Sequence, residues 1–66
     1  MPITLNGRPH DLAGAPTINE LIETLSVKAS QVAVALNGEV VRRREWPDTR
    51  VHDGDVVEVV RAVGGG

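Results

Sequence analysis

The residues best suited to chemistry stand at the C-terminus, where Gly64, Gly65 and Gly66 follow a valine-rich run and end in a carboxylate. Three glycines have no side chains and move freely in φ and ψ. Such an end can pass along a narrow channel and present the Gly66 carboxylate to another protein's active site. A carboxylate is a poor acyl donor, and joining it to a phosphate, as in an acyl-adenylate, supplies the leaving group. Nothing in the chain could perform that adenylation itself, and no cysteine could hold a persulfide. Cysteine is absent, His10 and His52 are too few for a His-based cluster, and no glycine-rich phosphate loop leads into Lys and Ser or Thr. Taken alone, a glycine-rich end is more often a frayed terminus than a reactive handle. The elements that precede it decide between the two.

The chain has 66 residues, 41% hydrophobic and 24% charged, with a net charge of −2. That length allows one domain, and so small a domain buries only about 60% of the surface its unfolded chain exposes. With no disulfide to staple it, the core is aliphatic: eleven Val, five Leu and three Ile, with Trp46 as the sole aromatic. A mildly acidic chain with one aromatic lacks the basic footprint and stacking platform of a nucleic-acid binder. No stretch approaches the roughly 20 apolar residues of a membrane span, and no signal-peptide core opens the chain, so a cytoplasmic address is expected. An autonomous enzyme is not expected, since a pocket would have to be carved from an already minimal core.

Alternation over Met1 to Asn6 predicts a strand, and Asn6-Gly7 a two-residue hairpin turn. The return strand, about Arg8 to Leu12, contains Pro9 and should lie at a sheet edge. Thr17-Ile18-Asn19-Glu20 is a capping box, and Ile18, Leu21, Ile22 and Leu25 form one helical stripe. Glu20 and Glu23 are placed near the positive end of the helix dipole. Gln31 to Leu36 is apolar on both faces, which predicts a covered strand. Asn37-Gly38 turns into Glu39-Val40-Val41, and Arg42 to Pro47 breaks the pattern. Val51 begins a short extended approach, Asp53-Gly54-Asp55 a tight turn, and Val56 to Arg61 the last strand. One helix cannot cover both faces of a sheet, so the fold class is a two-layer α+β sandwich.

This frame resembles the β-grasp fold of ubiquitin-like proteins and, more narrowly, the ThiS/MoaD family of sulfur carriers. The resemblance spans essentially the whole chain. It rests on Ile3-Thr4-Leu5-Asn6-Gly7, Thr17-Ile18-Asn19-Glu20-Leu21-Ile22 and Val32-Ala33-Val34-Ala35-Leu36-Asn37-Gly38, then Val41-Arg42-Arg43 with Trp46. Asp53-Gly54-Asp55-Val56-Val57-Glu58-Val59-Val60 and the terminal glycines complete it. It implies a mixed sheet of four to five strands on one main helix, with residues 1–62 as the domain and 63–66 as a flexible glycine tail.

The same resemblance implies a carrier that is not a catalyst. A ThiF-type adenylyltransferase would use ATP and Mg²⁺ to adenylate Gly66, with Gly64 and Gly65 in its channel. Sulfur from a cysteine-desulfurase-derived persulfide would replace AMP, and the thiocarboxylate would serve thiazole synthase, ThiG. The chain itself would bind no cofactor, metal, nucleic acid or membrane. The family commonly ends in two glycines where this chain has three, and Gly66 is taken as the end. Rival readings of the same frame are a molybdopterin synthase small subunit, a ubiquitin-like modifier joined to lysines, and a β-grasp interaction domain with an inert tail.

Val56, Glu58 and Val60 share the strand face opposite Val57 and Val59, so they form a docking patch for both partners unless neighbouring elements cover them. Arg42-Arg43-Arg44 is expected to be a solvated rim partly neutralised by Glu39, Glu45 and Asp48. Trp46 is expected to plug one end of the core. His52-Asp53-Gly54-Asp55 lacks the spaced oxygen ligands of a calcium loop and is expected to be a turn.

Overall fold

The computed structural model describes residues 1–61. β1 (Pro2–Leu5) and β2 (Arg8–Asp11) form one hairpin, α1 (Ile18–Thr24) follows, and β3 (Val32–Leu36) with β4 (Glu39–Val41) forms a second hairpin. β5 (Val56–Arg61) then enters the sheet, whose order is β2-β1-β5-β3-β4. β5 runs parallel to β1 and antiparallel to β3. The last strand in sequence is therefore the middle strand in space, bonded on both sides.

Both hairpins turn where the sequence places them. Asn6 and Gly7 have φ of 51° and 79°, and Asn37 and Gly38 have 51° and 85°, the left-handed pair a type I′ turn requires. Pro9 sits on β2, an edge strand, where its missing N–H removes nothing from the ladder.

The capping box forms as spelled. The Glu20 N–H donates to Thr17 Oγ1 at 3.1 Å, and the Thr17 N–H donates to Glu20 Oε1 at 2.9 Å. Ile18, Leu21 and Ile22 are buried against Ile3, Val34, Val51, Val57 and Trp46, while Leu25 packs on their edge from the C-cap. Burying each such side chain contributes about 1.5–3 kcal/mol. The helix has only seven residues, so Glu23 falls in its last turn and only Glu20 stands near the positive end. The expectation for Glu23 is corrected accordingly.

Three further local differences have plain causes. Arg43–Asp48 is a 3₁₀ helix with Pro47 inside it, where an irregular break was expected. Its carbonyls are met by Thr49, whose N–H donates to Trp46 O at 3.3 Å and whose hydroxyl donates to Glu45 O at 2.8 Å. That helix seats Trp46 as the expected plug, 1% exposed, with its indole N–H donating to Val41 O at 3.0 Å. Val51 is wholly buried: its N–H donates to Pro16 O, and Thr17 pairs with Arg50 in an isolated bridge that pins the start of α1. Ala29–Gln31 forms a 3₁₀ turn ahead of β3, so the strand begins at Val32. β3 is covered by the helix layer on one face only. Ala33 and Ala35 lie half-buried on the open face, where small side chains between larger neighbours account for the apolar run. Among the described residues no helix is long and apolar enough to cross a membrane.

Thr17→Ala is expected to lower the unfolding free energy by about 1 kcal/mol in urea titrations. The Glu20 carboxyl is held below its usual value, first by the Thr17 backbone N–H, against desolvation, with the Thr17 hydroxyl and the Arg50 charge adding to the lowering. A carboxyl depressed on folding contributes stability that is present above its unfolded pKa and lost as pH falls through the folded one. Stability measured from neutral to acid pH should therefore fall less steeply below the ordinary carboxylate range in Glu20→Gln than in the parent chain.

Candidate functional site

Period two along β5 sends Val57 and Val59 inward and Val56, Glu58 and Val60 outward. Val57 is fully buried and Val59 packs against the core. On the other face Val56 is 42% exposed and Val60 55%, so among the described residues no strand or loop covers the expected patch. The sheet register makes it wider than β5 alone. Val60 lies opposite Ala33, Glu58 opposite Ala35, and Ala35 opposite Val40 of β4. Val40 is 75% exposed, the most open of the large hydrophobic side chains among the described residues. Alternation in Glu39-Val40-Val41 gives Val40 an outward face, but only the pairing of β4 with β3 joins it to Val56 and Val60.

Two asparagine side chains brace the strand that bears this patch. At its start, Asn37 Oδ1 accepts from the Val56 N–H at 2.9 Å while Asn37 Nδ2 donates to Asp55 Oδ1 at 3.1 Å. Further along, Asn6 Oδ1 accepts from the Val59 N–H at 2.8 Å and Asn6 Nδ2 donates to Val59 O at 3.2 Å. Both asparagines are the first residues of the hairpin turns. Sequence reasoning assigned them to turn conformation alone, since the dipeptide Asn-Gly does not show where its side chain reaches.

Gly64, Gly65 and Gly66, with the domain boundary placed at residue 62, lie outside the described residues. The described chain ends at Arg61, one residue beyond Val60.

The remaining charged features are structural. Arg42, Arg43 and Arg44 are exposed, and the ion pair found among the described residues joins the Met1 ammonium to Asp11 at 3.3 Å. Glu39, Glu45 and Asp48 thus do not pair with the arginines: in high dielectric, long exposed side chains gain too little from contact to be held in it. His52-Asp53-Gly54-Asp55 is the expected turn. Asp55 Oδ2 accepts from the His52 N–H at 2.8 Å, and the Asp55 N–H donates to His52 O at 3.1 Å. Among the described residues no three His, Cys, Asp or Glu side chains gather as metal ligands would. His10 sits on the edge strand β2, apart from the patch.

A mixed five-stranded sheet that grips one short helix, with its terminal strand at the centre and an apolar outer face, defines a β-grasp protein of the ubiquitin-like kind. The model of the ThiS family matches residues 3–66, and the chain belongs to that family. It is 45% identical over 64 residues to the sulfur carrier protein ThiS of Thermus thermophilus, covering 97% of this chain and 98% of that one. The crystal structure of a thiamine biosynthesis protein (ThiS) from Geobacter metallireducens superposes with a TM-score of 0.89 at 40% identity, covering all of both chains. A thiazole synthase of Paramagnetospirillum magneticum is 33% identical over all 66 residues, which make up 20% of its length.

Because the outer valines lie off the core, Val60→Asp and Val40→Asp should each change the unfolding free energy by no more than about 0.5 kcal/mol. Thermal melts followed by circular dichroism check this. A cooperative transition lost in either variant would place that valine in the core.

Proposed function

We infer that this chain is a sulfur carrier of thiamine biosynthesis, a co-substrate that partner enzymes hold and modify. The observation that carries this reading is the family match over residues 3–66, which takes in the grip and the glycines together. The chain's lack of cysteine fits a carrier whose sulfur rides on the C-terminal carbonyl.

In this reading the Gly66 carboxylate attacks the α-phosphorus of ATP, held with Mg²⁺ by a ThiF-type adenylyltransferase, and pyrophosphate leaves. The terminal sulfur of a cysteine-desulfurase-derived persulfide then attacks the acyl carbon and expels AMP. A second thiol cleaves the resulting S–S bond, which frees the thiocarboxylate and leaves a disulfide behind. Gly64 and Gly65 occupy the partner's channel, where any Cβ would add bulk. Thiazole synthase, ThiG, receives the sulfur; a segment matching the whole chain within a protein of that name supports this partner. ATP supply and reduced thiols place the work in the cytoplasm.

The outer face formed by Val56, Glu58 and Val60, widened by Val40 and the β3 alanines, is the surface both partners grip. Its apolar side chains flank a single carboxylate, a composition suited to repeated docking and release.

Intact-mass spectrometry of the chain from thiamine-starved cells should show a terminal oxygen replaced by sulfur, and Gly66→Ala should abolish that species. An unmodified carboxylate under such demand would overturn the carrier reading. Val60→Asp should weaken complexes with the activating enzyme and the synthase by about tenfold or more, as loss of a central apolar anchor does. Unchanged titration calorimetry for both would remove the patch while leaving the tail chemistry standing.

A further inference from the structure

β1 ends at Leu5, but β5 continues to Arg61. From Asp55, just before β5, the odd-numbered residues turn their backbone groups toward β1: Asp55 O accepts from the Thr4 N–H and Val57 O from the Asn6 N–H, each at 2.9 Å. Val59 is next in that series. At its level the neighbouring chain has already entered the Asn6-Gly7 turn, and the parallel pairing stops at Leu5 with Val57. The Asn6 side chain fills the gap. Its amide presents an acceptor and a donor as a peptide group does, and both meet Val59, at 2.8 Å and 3.2 Å.

Asn6 is thus selected twice. The turn needs φ of 51° there, which Asn and Gly tolerate, but glycine has no amide to continue the ladder. Asn6 and Gly7 also border the same shallow depression as Val56, Glu58 and Val60. One residue therefore joins the docking face to the last strand just before the tail begins.

We propose that Asn6 is a positioning residue for tail chemistry: by clamping Val59 it fixes how β5 leaves the sheet relative to the docking face, and so where the partner receives the Gly66 carboxylate. This rests on the carrier reading above. Without the clamp, β5 beyond Val57 is held by β3 alone, through the pairing of Glu58, Val59, Val60 and Arg61 with Ala35, Val34, Ala33 and Val32. The strand end then frays while the domain stays folded. Residues 58–61 join the segment that must be ordered each time the carboxylate meets ATP, and that lost pre-organisation lowers turnover.

The test compares the parent chain with Asn6→Gly, which keeps the turn and loses both bonds. Carrier-dependent ATP–pyrophosphate exchange by the activating enzyme is measured well below the melting temperature, alongside NMR hydrogen exchange of the Val59 amide. Expected for Asn6→Gly are Val59 exchange faster by about tenfold and kcat lower by about tenfold, with KM for the carrier within about twofold. Asn6→Asp keeps the turn and the acceptor and loses only the donor to Val59 O. It should fall between the two, and it carries the test alone if the glycine variant unfolds. Faster Val59 exchange with unchanged kcat would make the clamp merely structural and overturn the proposal. A raised KM with unchanged kcat would make Asn6 a docking contact and overturn it equally. A parent chain that supports no exchange would bring down the carrier reading and this proposal together, whereas equal turnover of parent and variants brings down the proposal alone.

Discussion

A helix of seven residues can shield only one side of a five-stranded sheet, and the other properties of this molecule follow from that inequality. The shielded side collects the large aliphatic residues and Trp46, and these alone make the core. With no disulfide to restrain the unfolded chain, that single apolar layer must outweigh the entropy of ordering it, and its sealing is correspondingly strict. Trp46 closes one margin, Val51 and Leu12 close others, and no buried side-chain polar atom among the described residues lacks a partner. The unshielded side is built to tolerate water and is left open. Alanines on β3 keep it shallow, and Glu58 interrupts the valines so that the face does not invite self-association.

Placing β5 in the middle of the sheet anchors the last strand of the described chain. Chain ends fray unless they are tied down. The central position gives β5 ladders to β1 and β3, and the turn asparagines extend that bracing to groups the ladders do not reach. Order is carried to Arg61, the last described residue.

Most of this architecture was legible in the residues because local rules and global fold agree. The Asn-Gly turns, the Thr17–Glu20 box, the Ile18-Leu21-Ile22 stripe and the outward Val56 and Val60 each follow from spacing. What escaped depended on contacts between distant segments. Val51 read only as the start of a short extended approach, because its burial comes from Pro16 and α1. The Arg43–Asp48 helix was hidden by Pro47, and its purpose, seating Trp46, is tertiary. Val40 joined the outer face only through strand register, and the reach of Asn6 to Val59 spans 53 residues of sequence. Periodicity reports which way a side chain faces, not what it finds there.

The dimensions of the open face bear on how it is used. Five strands of three to six residues, about 4.8 Å apart at about 3.4 Å per residue, present roughly 360 Å² in projection. A standard stable interface buries about 800 Å² on each partner. The face by itself is smaller than such a patch, as suits contacts that form and part.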